Sequence, residues 1–329
     1  MRLLPTLLAP RTRLTRPPLP APLVSILIPC YNAAPWLAAT IESCFAQTWT
    51  AHEIVLVDDG STDNSLSIAR NFERRGVRVI SQPNRGASAA RNEALRASCG
   101  DYIQFLDADD LLAADKLERQ LSALAEAGPD VLSSGNWGRF STNPARAEFR
   151  VGEVSLARNG VEFLQLHYET CTMMQPAAWL TPRSLIERAG PWNESLSLND
   201  DGEYFARVAL AARRIVFVAS ARTFYRTTSG GSLSARRDIG ALHSLYRSVE
   251  LTLEHLRAAD DSPRTRRACA RAWMRVAVEI YPALPELSAR AEQASRAIGV
   301  GRAPLPGSGR FQIAARLLGW RLARRLFSP

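Results

Sequence analysis

The sequence predicts an α/β protein with a doubly wound, mostly parallel sheet and a helical C-terminal extension. Short apolar segments alternate with helical patterns four times between residues 23 and 127, which is typical of βαβ units. Polar or acidic turns follow these segments, as expected at the carboxyl edge of a parallel sheet, where ligands bind. After about residue 235 the chain becomes helical in pattern and rich in arginine.

The first half of the chain contains four predicted strands, each short and apolar enough for a sheet that is covered on both faces. They are LVSILI (23–28), EIVLV leading into DDGSTD (53–63), VRVI (77–80) and DYIQFL (101–106). Helices are expected from Pro35 to about Gln47, over 67–72 with Asp63 as cap, within 84–98, and from Asp115 to Ala127.

The second half is less regular. TPRSLIERAG (181–190) predicts a short helix with Thr181 as its cap and Gly190 as its end. NDDGEYFARVALAARR (199–214) predicts a helix that opens on polar and acidic residues, and VFV (216–218) predicts a further strand. No internal repeat is visible in the sequence.

The formal net charge of +9 is unevenly distributed along the chain. A proline-rich leader over 1–22, expected to be disordered, carries +4; the α/β domain over 23–235 carries −4; and the helical extension over 236–329 carries +9. Because no nucleic-acid-binding motif accompanies the basic ends, we expect no nucleic-acid partner and regard an anionic membrane surface as the alternative. The sequence contains no run of 18 apolar residues, so we expect no membrane-spanning helix.

The cysteines and the N-terminus indicate a cellular location. The five cysteines are odd in number, far apart and without a C-x-x-C pair, so neither a disulfide framework nor a cysteine zinc site is favoured. Prolines at positions 5 and 10 interrupt the apolar N-terminal stretch, so we expect no signal peptide there. The sequence therefore predicts a cytoplasmic protein, with a peripheral position at the inner face of the membrane as an extension of that prediction.

The segment FLDADDLL (105–112) places three carboxylates directly after the fourth predicted strand. Asp107, Asp109 and Asp110 can form a solvated, helix-capping acidic turn, which is the commoner role of an isolated D-x-D. They can also converge on a divalent ion, because Mg²⁺ and Mn²⁺ prefer hard carboxylate oxygens and keep waters and substrate phosphates as their other ligands.

Four segments in order decide between these alternatives: VSILIPCYNAAPW, EIVLVDDGSTDNS, NRGASAARNEAL and GDYIQFLDADDLL. Together they resemble the nucleotide-binding half of family 2 glycosyltransferases, over about residues 23–235 and most strongly over 23–112. The resemblance implies the GT-A fold, a nucleotide-sugar donor, inversion of the anomeric centre and a Mg²⁺ or Mn²⁺ cofactor.

The resemblance also assigns roles on the donor side. It implies that Pro29 and Tyr31 border the nucleotide base and that Asp59 accepts a hydrogen bond from the base; a turn and helix cap is the alternative role of Asp58 and Asp59. Asn84, Gly86 and Arg91 match the pattern beside the donor diphosphate, although Arg91 can equally be a solvated surface arginine.

Within DADD, the resemblance implies that Asp107 contacts ribose or metal and that Asp109 is the main metal ligand. Asp110 is expected to begin the following helix.

The segment GPWNESLSLNDDGEYFARV resembles the acceptor side of the same family and makes Asp201 the candidate general base. Glu203 is the rival base, and the alternative is that Asn199 and Asp200 merely cap the helix. Trp179 and Trp192 flank this segment, either as core residues or as platforms that stack on a sugar.

Two features depart from the family pattern or lie outside it. YRTTSGGSLS (225–234) has Tyr225 and Arg226 but lacks the histidine that many relatives place there, and we expect Arg226 and the Ser/Gly loop to clamp the diphosphate instead. The tail 309–329 predicts one helix with Phe311, Leu318, Leu322 and Leu326 on one stripe, which either lies on a membrane or docks on the protein's own domain.

These observations predict an inverting glycosyltransferase that moves a sugar from a nucleoside diphosphate sugar to a hydroxyl of a saccharide or lipid-linked acceptor. A nucleotidyltransferase is disfavoured because PCYNAAPW lacks the glycine and base of a phosphate loop. The remaining alternative is a non-catalytic, degenerate nucleotide or sugar binder of the same fold.

Overall fold

The computed structural model describes residues 21–172, 174–227, 236–301, 303–307 and 309–327, so nearly all of the predicted leader lies outside the described residues. The strands are β1 (Val24–Cys30), β2 (His52–Asp59), β3 (Val77–Gln82), β4 (Tyr102–Phe105), β5 (Leu111–Leu112), β6 (Val131–Phe140), β7 (Glu148–Phe149), β8 (Trp179–Pro182) and β9 (Arg214–Arg226). The helices of the α/β part are α1 (Leu37–Phe45), α2 (Ser65–Asn71), α3 (Ala87–Ala97), α4 (Lys116–Ala127), α5 (Gly160–Thr170), α6 (Arg183–Ala189) and α7 (Asp200–Ala211). The C-terminal helices are α8 (Ile239–Ala259), α9 (Pro263–Ile280), α10 (Pro285–Ala297), α11 (Gly309–Leu318) and α12 (Trp320–Leu326).

The strands form one sheet in the order β3-β2-β1-β4-β8-β6-β9-β5, with β7 beside β6. The pairs β3–β2, β2–β1 and β1–β4 are parallel, so the predicted α/β fold with a mostly parallel sheet is confirmed. Residues Cys30 and Asp58 are register partners at the ends of β1 and β2, and Leu27 pairs with Phe105 of β4. The carboxyl ends of these strands therefore lie side by side at one edge.

Alternating side chains of the central strands point into two separate cores, which explains why the strands are apolar throughout. Val24, Ile26 and Ile28 of β1 pack into the core that contains α1, α2 and α4. Leu27 points to the opposite face, where α3 and the helices of the second half cover the sheet.

The second half contains more strand than the sequence predicts. Thr181 lies within β8 instead of capping a helix, because its segment pairs with β4 through Ile103. The predicted strand at 216–218 is the start of a longer one, β9, which runs parallel to β6. The strand β6 itself was missed, since VLSSGNWGRF has serines and glycines where a buried strand usually has branched apolar residues. A Cβ atom at Gly135 would lie 2.5 Å from the Ala221 carbonyl oxygen, so this strand needs glycine for close approach to β9.

The helical extension shares a core with the sheet. Leu242, Val249 and Leu253 of α8 are buried in the same cluster as Phe105 of β4 and Phe205 of α7. The boundary predicted at 235/236 stays a prediction. Among the described helices, none is both long and apolar enough to cross a membrane.

The tail forms two helices, so the prediction of one continuous helix over 309–329 is wrong. Gly319, with a φ of 78°, separates α11 from α12 because this backbone conformation cannot continue a helix. Phe311, Trp320 and Ala323 are buried against the protein, which confirms that the tail docks on its own domain. The leucines of the predicted stripe remain exposed.

Lys116, the only lysine in the sequence, is completely buried at the start of α4. Its side-chain nitrogen donates to the side-chain oxygens of Gln104 and Gln120. Gln104 in turn donates to the Ala177 carbonyl oxygen at 3.0 Å, and Gln120 to the Ser133 hydroxyl at 3.2 Å. Burial lowers the pKa of Lys116 well below its usual value. This polar network joins α4 to β4, to β6 and to the turn that precedes β8.

Replacing Lys116 by alanine is expected to lower the free energy of unfolding by about 2–5 kcal/mol, because it creates a cavity and leaves both glutamine oxygens without their donor. Urea denaturation measures the change. Glu126→Ala on the exposed side of the same helix is the control and should stay within about 0.5 kcal/mol of the wild type. Equal losses in the two variants would contradict the role of the network.

Candidate active site

The loops that follow β1 and β2 are tied together by Asn32, whose backbone is left-handed with a φ of 50°. Its side-chain oxygen accepts hydrogen bonds from the backbone nitrogens of Thr62 at 2.8 Å and Asp63 at 3.3 Å. The ring of the preceding residue, Tyr31, is therefore held at the sheet edge with 51% of its surface exposed. Pro29 is half-buried beside it. The geometry is compatible with the predicted place of Pro29 and Tyr31 next to a nucleotide base.

Asp59 is buried, and both of its carboxylate oxygens accept hydrogen bonds within the protein. Its carboxylate accepts hydrogen bonds from the Gln82 side chain at 2.7 Å and from the backbone nitrogens of Arg85 at 2.9 Å and Gly86 at 2.8 Å. Asp59 thus shapes the loop between β3 and α3, and its predicted contact with the base stays a prediction. In the neighbouring Asp58, the buried Oδ1 receives no hydrogen bond from any described residue.

The loop before α3 lies directly on the end of β2. A Cβ atom at Gly60 would stand 2.7 Å from the backbone nitrogen of Asn84, so only glycine allows this approach. Gly86 has a φ of 93° and begins α3, while Asn84 is exposed. Asn84 and Gly86 therefore lie at the same edge as Tyr31's loop, where a donor diphosphate is predicted.

The DADD segment is not a solvated acidic turn. Asp107 and Asp109 are half-buried, and Asp110 is completely buried. Burial and the neighbouring charge of Asp107 raise the pKa of Asp109 to about 6. Burial and the charges of Asp109 and Asp107 raise the pKa of Asp110 well above its usual value.

The prediction that Asp110 begins the next helix is wrong. The helix α4 starts only at Lys116, and the short strand β5 comes between. Because β5 pairs with β9, Asp110 is turned inward and its Oδ1 accepts the backbone N–H of Arg226 at 2.8 Å. Asp110 therefore fastens the DADD loop to the second half of the sheet.

Arg91 of α3 is the centre of the site, and its alternative role as a solvated surface arginine is wrong. Only 6% of the residue is exposed. One guanidinium nitrogen donates to Asp107 at 2.9 Å and another donates to Asp200 at 2.8 Å. Ser88, one helical turn earlier, also donates to Asp200 at 2.8 Å. Arg91 thus connects the DADD loop to the first turn of α7.

Asp201 lies beside this bridge in the first turn of α7 and is half-buried. Burial and the charge of Asp200 raise its pKa to about 7, against the opposing effect of Arg91. The rival base Glu203 is buried and accepts two hydrogen bonds from Arg207, at 2.7 and 2.8 Å. Since Glu203 is neutralised by this pair, Asp201 is the better candidate for a base.

The helix-cap alternative for Asn199 and Asp200 is not what the structure has. The side chain of Asn199 makes no cap hydrogen bond, and Asp200 faces Arg91. Two serines of α8 fix the segment instead. Ser244 accepts hydrogen bonds from the Ser197 and Leu198 nitrogens at 2.7 and 3.0 Å.

The second serine, Ser248, donates to the Asn199 carbonyl oxygen at 2.6 Å and accepts from the Asn199 side chain at 2.7 Å. Sequence reasoning missed both serines. The available signal was a row of small polar residues, Ser244, Ser248 and Thr252, at helical spacing on the buried face of α8. The C-terminal extension therefore positions the segment that carries Asp201.

Both candidate tryptophans are core residues, so their alternative role in stacking on a sugar is wrong. Trp179 and Trp192 are each 1% exposed. Trp192 stacks on Tyr204 with ring centroids 3.9 Å apart and lies 4.5 Å from the Arg91 guanidinium carbon. Its face supports the arginine by a cation–π contact and fixes the arginine's position.

Arg226 lies next to the DADD loop and donates through Nε to the Asp109 carbonyl oxygen at 2.8 Å. Another of its nitrogens donates to the Ser141 carbonyl oxygen at 3.1 Å. Its charge is thus held beside Asp109, while residues 228–235 of the predicted clamp lie outside the described residues.

Asp107 and Asp109 are the candidate metal ligands. In the part of the chain that the structure describes, no cluster of three or more His, Cys, Asp or Glu side chains is suited to a metal ion. Two half-buried carboxylates on one loop nevertheless form a donor set suited to Mg²⁺ or Mn²⁺, which commonly takes one or two carboxylates together with waters and substrate phosphates. The residues present therefore fit such an ion.

Comparison with known proteins identifies the family. The family model described as glycosyl transferase family 2 matches residues 25–189, which contain the β1–β4 edge and the DADD loop. The chain belongs to glycosyl transferase family 2. The succinoglycan biosynthesis protein ExoU of Rhizobium meliloti is 30% identical over 256 residues, which are 73% of this chain and 72% of that protein. The chain spans 47%, 61% and 32% of the length of three other curated relatives.

Two solved structures share the fold of this chain. S. aureus TarS in complex with UDP-GlcNAc superposes with a TM-score of 0.71 at 17% identity, covering 92% of this chain and 91% of that one. The mannosyltransferase PcManGT of Pyrobaculum calidifontis, in complex with GDP-Man and Mn²⁺, superposes with a TM-score of 0.54 at 21% identity, covering 94% of this chain and 81% of that one. These similarities confirm the predicted GT-A-like fold.

Replacing Arg91 by methionine is expected to lower the free energy of unfolding by about 3–5 kcal/mol, because two carboxylates lose their common partner in a buried site. Urea denaturation at neutral pH measures it. Arg85→Met is the matched control: its pair with Glu194 has side chains 51% and 38% exposed, so its removal should cost about 0–1 kcal/mol. A loss in Arg91→Met no larger than in the control would show that the bridge contributes little.

Proposed function

We propose that this protein transfers a sugar from a nucleoside diphosphate sugar to an acceptor hydroxyl, with inversion of the anomeric centre. The observation that carries the proposal is the bridge made by Arg91 between Asp107 and Asp200. It joins the carboxylate loop of the donor side to the first turn of α7, where the candidate base Asp201 lies. Donor and acceptor residues separated by about ninety positions thus belong to one cluster.

The donor binds at the carboxyl edge of β1–β4 in this proposal. Tyr31 lies beside the base, and Asp59 at the end of β2 shapes the neighbouring loop by accepting hydrogen bonds from the backbone nitrogens of Arg85 and Gly86. The loop of Asn84 and Gly86 borders the diphosphate. The nucleotide sugars bound by TarS and PcManGT support a donor of this class.

We propose that Asp107 and Asp109 hold a Mg²⁺ or Mn²⁺ ion together with the donor diphosphate. Such an ion neutralises charge on the departing diphosphate as a Lewis acid. The Mn²⁺ in the PcManGT complex supports this choice. Arg91 and Arg226 add fixed positive charge on either side of the DADD loop.

Asp201 acts as the general base. In the proposed step the acceptor oxygen forms a bond to the anomeric carbon, the bond from that carbon to the diphosphate oxygen breaks, and the acceptor proton moves to the Asp201 carboxylate. Attack from the face opposite the diphosphate inverts the centre. A pKa raised to about 7 suits this role, because a base near the working pH is ionised yet basic enough to accept the proton.

The acceptor is proposed to be a saccharide or a lipid-linked saccharide, and the kinship with a succinoglycan biosynthesis protein supports a polysaccharide-type acceptor. A cavity of about 440 Å³ lies next to the segment that leads to Asp201. Ser195, Ser197 and His243 are among its lining residues and supply hydrogen-bonding groups of the kind a sugar needs. We further propose a cytoplasmic location, which five free cysteines support.

Asp201→Asn is expected to slow transfer about 10²–10⁴-fold without weakening donor binding, because only proton removal is lost.

Asp109→Asn is expected to weaken Mn²⁺-dependent donor binding about tenfold or more. Release of nucleoside diphosphate from a panel that includes UDP-GlcNAc and GDP-mannose measures turnover, and thermal shift with and without Mn²⁺ measures binding.

Asp115→Asn is the control for these variants, because this exposed carboxylate forms an ion pair with Arg119 on the surface of α4. It should behave as wild type in both assays. Wild-type turnover in both Asp109→Asn and Asp201→Asn would refute the assignment. Metal-dependent donor binding without any turnover by the wild type would instead favour the non-catalytic binder.

The transfer rate is expected to rise with pH and to level off above an apparent pKa of about 7, since only ionised Asp201 accepts the proton. Below that value kcat/KM should fall by up to about tenfold per pH unit. The measurement is a pH series at saturating Mn²⁺. The residual activity of Asp201→Asn should lack this dependence; a rate that is flat from pH 5.5 to 8 in the wild type would contradict Asp201 as base.

A further inference from the structure

Six large apolar side chains are exposed together on the last two helices. They form the C-terminal apolar surface: Ile313, Leu317 and Leu318 of α11, Leu322 and Leu326 of α12, and Phe327. Their exposed fractions range from 46% to 79%. Single exposed apolar residues are ordinary, but a group this dense within fifteen positions marks an interaction surface.

The opposite side of the two helices is firmly attached to the protein. The ring of Trp320 packs edge-on against Tyr281 with centroids 5.4 Å apart, and Arg324 donates to the Val278 carbonyl oxygen at 3.1 Å. Arg321 forms an ion pair with Glu292 at 2.6 Å. The C-terminal apolar surface therefore faces outward because its helices are docked, not because they are detached.

All charged residues within α11 and α12 are arginines. The sequence contains no acidic residue after Glu292. Arg310, Arg316 and Arg325 are exposed beside the apolar side chains. Exposed leucine and phenylalanine interspersed with arginine is the composition of helices that lie in the interface of an anionic bilayer.

We propose that the C-terminal apolar surface inserts into the headgroup region of an anionic lipid bilayer, with the surrounding arginines on the lipid phosphates. Both helices are too short to span a membrane, so they lie along it. A second copy of the chain is a poorer occupant, because a two-fold contact through this surface would bring arginines of like charge together.

Membrane binding of this kind deepens the proposed function, since it would bring the site to a lipid-linked acceptor, but the binding itself does not require transfer to occur. The extension that carries the surface is packed on α5 and α7 through α8 and α9. A membrane bound at α11 and α12 is therefore connected rigidly to the part of the protein that carries Asp201.

The test is co-sedimentation of the full-length protein with vesicles of phosphatidylcholine alone and of phosphatidylcholine with phosphatidylglycerol. We expect binding to the anionic vesicles. With neutral vesicles or in 0.5 M salt, binding should be weaker by at least about tenfold. The triple variant Leu317→Ser, Leu322→Ser, Leu326→Ser should bind at least about tenfold more weakly, and so should Arg310→Gln with Arg316→Gln.

Val151→Ser with Leu156→Ser is the matched control, because these exposed apolar residues, at 56% and 68%, lie elsewhere and should not affect vesicle binding. Thermal unfolding and metal-dependent donor binding are measured for every variant, so that loss of the fold or failure of the proposed function is seen separately. Absence of wild-type binding to anionic vesicles overturns the inference. So does a concentration-dependent dimer that the triple serine variant abolishes, which would identify a second copy as the occupant.

Discussion

The ion pairs of Arg91 are the constraint on which the rest of the site depends. A guanidinium in a buried position must have partners, because an isolated charge there would cost several kcal/mol. Its two partners come from different parts of the chain, Asp107 after β4 and Asp200 at the start of α7. Trp192 closes one face of the arginine and Ser88 shares one of its carboxylates. The position of each half of the site is thereby fixed relative to the other.

The C-terminal extension contributes to the same geometry from outside the sheet. Ser244 and Ser248 satisfy the backbone groups of 197–199, a segment that enters α7 through the left-handed residue Asn199. A helix N-terminus has free N–H groups and needs partners. Asp200 is turned to Arg91 and Asn199 makes no cap hydrogen bond, so the residues that lead into this helix are held in place by α8. Catalytic half and helical extension therefore form one body.

The sequence predicts the parts that depend on local pattern. The four parallel strands, their polar ends and the helices α1 to α4 follow from apolar alternation and turn residues, and the DADD loop lies where this pattern predicts. The strand β6 was missed because its serines and glycines are untypical of a buried strand, and because Gly135 is needed for close approach to β9, which is remote in the chain. The ion pair of Arg91 with Asp200 and the contact of Asp110 with Arg226 were not predicted, because each joins residues more than a hundred positions apart.

The single buried lysine has a consequence for how the protein can be handled. All amine-directed reagents, such as succinimidyl esters and amine cross-linkers, find no exposed lysine side chain on the folded chain, since Lys116 is enclosed between α4 and the sheet. Modification of Lys116 requires that this part of the core open first. The rate at which Lys116 reacts therefore reports how often this part of the core opens, and no engineered label is needed to measure it.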